Sequence, residues 1–297
     1  MRDESVLVTG ATGGIGFWIA MGLARAGART FVTGRDEARG RDAVDEIRRV
    51  SGNERVELLV SDGSSIRANV ALAEEISRRV DRLDVLVNNV GGGGTGDRRE
   101  TDEGLEVTLA THFVGRVALT TRLVPLVEES PKGWIVEIVS SAFQMWKREP
   151  LDDVESKDRY VGIEAYAHAK ILSLLFVLGL ARRIERVRVN AVNPGMAWTP
   201  ATAALTRDAI PQWRFIWPVV RWFQRRARPE AAARGPLVLA GPSAPPVTGA
   251  YFDKERRERL PSRFEEPALQ DRVAALGETL VARALGSNAS VSGAGAR

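Results

Sequence analysis

Cysteine is absent from the 297-residue sequence, which excludes disulfides, thiolate nucleophiles and thiolate metal ligands. Histidine is almost absent: His112 and His168 are the whole supply of imidazole. No metal centre is therefore expected, and most acid–base chemistry has to rest on other side chains. Lysine is confined to Lys132, Lys147, Lys157, Lys170 and Lys254, and arginine carries the formal net charge to +4. That excess is not gathered into a patch. From Arg35 to Arg49 the arginines are interspersed with acids, as on a solvated helix face, so nucleic acid is not expected as a partner. Long apolar runs are lacking as well: the most apolar helical stretch, Ile171 to Leu180, falls short of the ~20 residues that span a bilayer. No apolar signal region precedes the first strand, and a cytoplasmic protein is expected.

What the chain does have, at its start, is glycine at a telling spacing. Val6 to Val8 reads as a buried strand, and Ile15, Ile19, Leu23 and Ala26 recur at helical spacing just behind Gly10, Gly14 and Gly16. In a strand-turn-helix unit these glycines permit a sharp turn, close approach of a pyrophosphate, and tight packing of helix on strand, while the helix N-terminus offers free N–H groups to an anion. Thr12 and Ile15 complete the cradle. A bound nucleotide is expected here.

Alternation continues with a strand over Thr30 to Thr33, a helix over Asp36 to Val50, a strand over Val56 to Val60 and a helix over Ser64 to Val80. Such a βαβαβ half-sheet binds its ligand at the carboxyl ends of the strands. Arg35 follows the second strand, where a cation favours an adenosine 2′-phosphate, hence NADP over NAD. Asp62 follows the third, either to accept from the adenine amino group or to cap the turn at Ser64. Val85 to Asn89 is a fourth strand, running into the flexible glycines Gly91 to Gly94. A helical region over Asp102 to Glu129 leads to a fifth strand, Trp134 to Val139, and then Ser140 and Ser141. After a polar insertion from Lys147 to Arg159 comes a helix over Gly162 to Ile184, apolar almost all round and so buried. Arg188 to Val192 is the sixth strand, followed by Asn193, Pro194 and Gly195. Thr202 to Arg228 breaks the alternation, Pro229 to Ala240 resumes a helix, Ala250 to Phe252 is a last strand and Glu266 to Leu285 a terminal helix. One domain over residues 1–286 is expected, with a disordered tail over 287–297.

On the buried helix, Tyr166 and Lys170 stand at i and i+4, on one face. An adjacent cation can lower a phenol's pKa by about 1 to 3 units, which fits it for proton exchange with an alcohol or carbonyl oxygen. The glycine loop, Asn88 to Gly91, Ser141, Tyr166 with Lys170, and Asn193 to Gly195 with Thr199 occur in the order and spacing of the short-chain dehydrogenase/reductase family, which the chain resembles from about Val6 to Phe252. The resemblance implies an α/β fold: a single-domain, Rossmann-type doubly wound parallel sheet of about seven strands flanked by helices. It implies hydride transfer between nicotinamide and an alcohol or carbonyl carbon. By position, Tyr166 is the proton donor or acceptor, Lys170 lowers its pKa and holds the nicotinamide ribose, and Ser141, rather than Ser140, orients the substrate oxygen. Asn88 falls by the adenosine ribose, Gly91, Pro194 and Gly195 along the cofactor, and Thr199 near the carboxamide or pyrophosphate.

The wide separation of Ser141 from Tyr166, Thr33 to Asp36, and the ending Thr248 to Phe252 are similar to the retinol dehydrogenase-like and protochlorophyllide reductase-like branch, which implies NADP(H) and a lipophilic substrate. Two positions depart from the pattern. Val90 replaces an alanine, and His112 stands where an asparagine holds a water that relays protons to the lysine. As a relay, His112 would fail when protonated near pH 6.5, and an acid limb is expected there; otherwise it is a satisfied helix histidine, as His168 is expected to be. Trp213 to Phe223, with Arg225, Arg226 and Arg228 behind it, reads as part of an apolar substrate lid over residues 196–228, with a weak membrane-surface contact as the alternative. The expected protein is an NADP(H)-dependent oxidoreductase on a small hydrophobic alcohol, ketone or aldehyde, open to homo-oligomerisation. The rival is a non-catalytic NADP(H)-binding sensor or partner-binding protein.

Overall fold

The computed structural model describes residues 1–92, 96–146, 148–203 and 217–286. Lys147, Gly93, Gly94, Trp213 and the tail 287–297 lie outside the described residues.

Seven strands run parallel: β1 Ser5–Val8, β2 Arg29–Gly34, β3 Val56–Val60, β4 Val85–Asn88, β5 Gly133–Ile138, β6 Val187–Asn193 and β7 Tyr251–Asp253. Their order in the sheet is β3-β2-β1-β4-β5-β6-β7, and β8 (Arg256–Glu258) adds an antiparallel edge beyond β7. The sequence reading has no strand there, because all of β8's side chains are charged and exposed and only main-chain pairing makes it a strand. Growth of the sheet reverses between β1 and β4, which opens a crevice at their carboxyl ends.

The pleat divides the core. Val6, Val8, Val85, Val87, Val136 and Val192 face α1 (Gly14–Arg25) and α2 (Glu37–Ser51), and Leu7, Leu86, Ile135 and Val189 face the opposite layer. That layer holds α3 (Ile66–Arg79), α5 (Gly115–Glu128), α6 (Gly162–Arg183) and α11 (Pro267–Ala284). Helix α6 is long and apolar enough to cross a membrane, but 78% of its most apolar window is buried inside the protein. It packs between α11 and the sheet as a core helix.

The expected helix over Asp102 to Glu129 is broken in three. Residues 101–106 are not helical; Glu106 caps α4 (Val107–Leu109) by accepting from Thr108 N (2.9 Å) and Leu109 N (2.6 Å). A π-helical turn, Ala110–Val114, then joins α4 to α5. Such turns widen the helix by one residue and re-aim side chains, and His112 is at the centre of this one. After β6 come α7 (Pro200–Ala203), α8 (Trp217–Arg226), α9 (Pro229–Ala232) and α10 (Arg234–Ala240).

Candidate active site

The glycine loop is fastened to the strand ends on either side. Gly10 N donates to Thr33 Oγ1 (3.0 Å) and Ala11 N to Thr33 O (2.9 Å). From the end of β4, Asn89 Nδ2 donates to Thr9 O (2.9 Å) and Gly10 O (3.1 Å), and Asn89 N donates to Thr9 Oγ1 (2.9 Å). Gly10 and Gly14 have φ of 64° and 58°, the left-handed region that glycine enters without strain. A Cβ on Gly16 would collide with Asn89 Nδ2 and lie 2.6 Å from Gly10 O, so no other residue fits the latch. Gly13 stands at the N-cap of α1, so no side chain caps the helix and its first N–H groups are left for an anion. Thr12 packs against Gly34, Ile15 is partly buried, and Thr199 reaches the loop from across the sheet, its Cγ2 3.0 Å from where a Gly14 Cβ would be.

Two guanidiniums stand beside the loop. Arg35, next after β2, is exposed and makes no hydrogen bond or ion pair among the described residues. Arg39, which the sequence reading missed, reaches back from α2 so that Nη2 is 3.0 Å from the Cβ position of Gly13. Asp62 takes the turn role: its Oδ1 accepts from Ser64 N (2.9 Å) and Ser64 Oγ (2.8 Å). Asn88 does not join the loop. It is buried and turned into the opposite layer, where Nδ2 donates to Thr120 Oγ1 at 2.8 Å; Asn89 takes the place at the loop. Pro194 and Gly195 (φ 80°) turn the chain out of β6, with Asn193 held by Asp253 Oδ1 at 2.7 Å.

A second cluster lies at the ends of β4, β5 and α6. Lys170 is buried and donates to Ile138 O at 2.7 Å; its Nζ is 6.0 Å from the Tyr166 ring centroid. His112 is wholly buried, its ring edge-on to Tyr166 at 5.1 Å, with Gly91 beside its Cε1. Because a carbonyl only accepts, the 2.7 Å contact of His112 Nε2 with Gly92 O assigns the proton to Nε2. Nδ1 is left as an unpartnered buried acceptor. Burial first, then Lys170 and Arg116, hold His112 well below the usual imidazole value. Burial and the two neighbouring cations thus oppose protonation of His112, against an acid limb at the ordinary imidazole value.

Burial pushes the Tyr166 phenol up, while a hydrogen bond with Ser140 and the Arg116 guanidinium pull it down. Lys170 is itself pushed well below its ordinary value by burial and by Arg116. Of the two serines, Ser140 has extended backbone and lies by the phenol, whereas Ser141 has turned into a short 3-10 helix and is exposed. Ser140 Oγ also caps Ala142 N at 3.2 Å.

The family model for short chain dehydrogenases matches residues 4–210. The chain belongs to the short-chain dehydrogenase family. Human retinol dehydrogenase 14 is 30% identical over 282 residues, covering 90% of this chain and 83% of that protein. Bovine dehydrogenase/reductase SDR family member 13 is 32% identical over 281 residues, 91% and 70% of the two chains. L-sorbose reductase of Gluconobacter frateurii, solved with NADPH and L-sorbose, has a TM-score of 0.66 at 26% identity and covers 85% of this chain and 95% of its own. This short-chain dehydrogenase is of the retinol dehydrogenase-like branch, an oxidoreductase that binds a nicotinamide cofactor and acts on CH–OH and C=O groups.

In this short-chain dehydrogenase Val90 is accommodated by missing side chains around it. A Cβ on Gly10 would be 2.9 Å from Val90 Cα, and one on Gly63 2.6 Å from Val90 Cγ1. His168 is structural as expected: it stacks on Trp146 at 4.2 Å and bonds Pro150 O at 2.6 Å, pinning the insertion to α6. In the segment expected to cover the substrate, Arg221 and Arg225 lie over the Trp198 ring at 4.7 and 5.9 Å, and Arg226 over Trp222 at 3.6 Å. Trp222 is 50% exposed.

Proposed function

We propose that the enzyme uses NADP(H) in preference to NAD(H) and interconverts a lipophilic alcohol with its ketone or aldehyde, Tyr166 exchanging the proton with the substrate oxygen. The observation that carries this reading is the placement of Tyr166. Its phenol meets Ser140, His112 and Lys170 at the carboxyl ends of the strands, on the same edge of the sheet as the glycine loop. The residues fit the cofactor: an uncapped helix N-terminus behind left-handed glycines suits the pyrophosphate, and Arg35 and Arg39 suit a 2′-phosphate. Nicotinamide, when bound, supplies the hydride acceptor or donor. Tyr166 gives up or takes the proton, and Ser140 holds the substrate oxygen against it. A retinoid-type substrate class is supported by the likeness to a retinol dehydrogenase.

Cofactor choice is tested by titration of NADPH and NADH, followed by loss of nicotinamide absorbance over a panel of lipophilic aldehydes and ketones. NADPH is expected to bind at least about tenfold tighter than NADH, the scale of a charge-assisted bond, with Arg35→Asp levelling the two and Arg39→Ala weakening NADPH alone. Equal dissociation constants in the unmodified chain would remove the assignment. With the carbonyl that reacts best, Ser140→Ala is expected to cost about 10²-fold in turnover, as loss of a donor to the reacting oxygen does, and Ser141→Ala little. The reverse ranking would return the role to Ser141.

A further inference from the structure

Past β4 the chain leaves the sheet through Asn89, Val90, Gly91 and Gly92. On one side Val90 abuts the glycine loop, its Cα 2.9 Å from the Cβ position of Gly10. On the other side two donors four residues apart hold alternate carbonyls of this exit: Arg116 Nη2 donates to Val90 O, and His112 Nε2 to Gly92 O at 2.7 Å. Arg116 has further anchors. It is 4% exposed and pairs with Glu137 of β5, 0% exposed, and its Nη1 donates to Ile138 O at 3.0 Å, the carbonyl that also accepts from Lys170 Nζ at 2.7 Å. His112 bonds Gly92 alone: its Nδ1 is buried without a partner among the described residues. The exit wraps the imidazole closely. A Cβ on Gly91 would lie 3.5 Å from Cε1, and Gly92 has φ of 135°, a conformation that only glycine enters without strain. The same ring meets Tyr166 edge-on, with centroids 5.1 Å apart, so His112 stands between the exit of β4 and the phenol.

We propose that His112 is a positioning residue that ties the Tyr166 ring to the loop beside the cofactor: its Nε2–H holds Gly92 O, its ring bears on the phenol ring, and the phenol thereby keeps one place relative to the glycine loop. The proposal rests on the reading of Tyr166 as the proton-exchanging group. The π-helical turn makes the arrangement reachable, because His112 lies within it and the extra residue re-aims the side chain toward the end of β4. This task differs from the one that the family resemblance implies for the position. A neutral imidazole has one proton, and a ring that spends it on a carbonyl has none left to donate to a relayed water. Placement matters because a reacting group displaced by about 1 Å loses up to about 10²-fold in rate.

The two carboxamide residues separate the two tasks. Glutamine presents its amide nitrogen where imidazole has Nε2, and asparagine where imidazole has Nδ1, so only glutamine renews the donor to Gly92 O. With saturating NADPH and the carbonyl that reacts best, His112→Asn is expected to lose about tenfold or more in kcat with KM within about twofold, and His112→Gln to stay within about threefold of the unmodified chain. The reverse ranking would show His112 serving as the family's asparagine does, and equal losses would show that the bond to Gly92 sets nothing; either overturns the proposal. If the asparagine variant does not fold, Gly92→Ala decides. Gly92 is partly exposed, and a Cβ there strains φ and turns the carbonyl away from the ring. The same loss in kcat is expected, and an unchanged kcat overturns the proposal. A second readout needs no turnover: long-range 15N–1H imidazole correlations at pH 7 are expected to show His112 protonated on Nε2 and bare at Nδ1, with the Nε2 signal moved by Gly92→Ala. His168 is the only other histidine, and its signals are the ones that persist in His112→Gln. A proton on Nδ1 of His112 overturns the proposal. Failure of Tyr166 as the proton donor would appear separately, as normal turnover in Tyr166→Phe.

Discussion

Tyr166→Phe is expected to lower turnover by at least ~10²-fold while leaving cofactor binding within a few-fold of normal. The substitution removes one oxygen and keeps the ring that meets His112 edge-on and lies over against Lys170. Packing is preserved, and what is lost is the proton that must reach or leave the substrate oxygen, a contribution of 10²–10⁴-fold for a positioned acid or base. Steady-state rates with NADPH and the best carbonyl substrate, together with the NADPH dissociation constant, give both numbers. A phenylalanine variant that turns over at nearly the original rate would place the proton donor elsewhere.

Acidification through the imidazole range is expected to destabilise the fold. His112 and His168 are both buried, and burial is the largest cause holding each below the ordinary value of 6.5. As the pH falls through about 6.5 the unfolded chain takes up a proton on each ring and the folded chain does not, so the unfolded state binds more protons. Stability therefore rises with pH across this window and is lost below it, with a slope of up to ~1.4 kcal/mol per pH unit for a group protonated only in the unfolded chain. The carboxylates held low by arginines, Glu75 and Asp271 among them, act only below the ordinary carboxylate range near 4 and do not obscure the effect. Denaturant midpoints at pH 7, 6 and 5 read the slope, and His112→Asn with His168→Asn should flatten it. A slope that persists in the double variant would assign it to other groups.

Much of the site was legible along the chain because its parts are local. Gly10, Gly14 and Gly16 are required by the turn between β1 and α1, and Tyr166 with Lys170 by the pitch of one helix, so spacing alone announced them. Arg116 and Glu137 left a signal that could have been followed: each is a charge inside an apolar run, and a charge buried with its element must find a partner. Arg39 left a weaker one, a single arginine among many on an exposed helix.

The sequence by itself determined the nucleotide loop, the order of alternating strands and helices, and the family, since each depends on residues near one another or on periodicity. Only the tertiary structure decided which serine meets Tyr166, that Asn89 rather than Asn88 latches the glycine loop, and that Arg116 and Lys170 share the Ile138 carbonyl. Those outcomes depend on where β4 and β5 end and on how a π-helical turn aims α5 against them. The physical reason is range. Backbone conformation follows from neighbours in the chain, whereas burial, charge and the shared carbonyl of Ile138 follow from segments that meet only when the sheet closes over its helices.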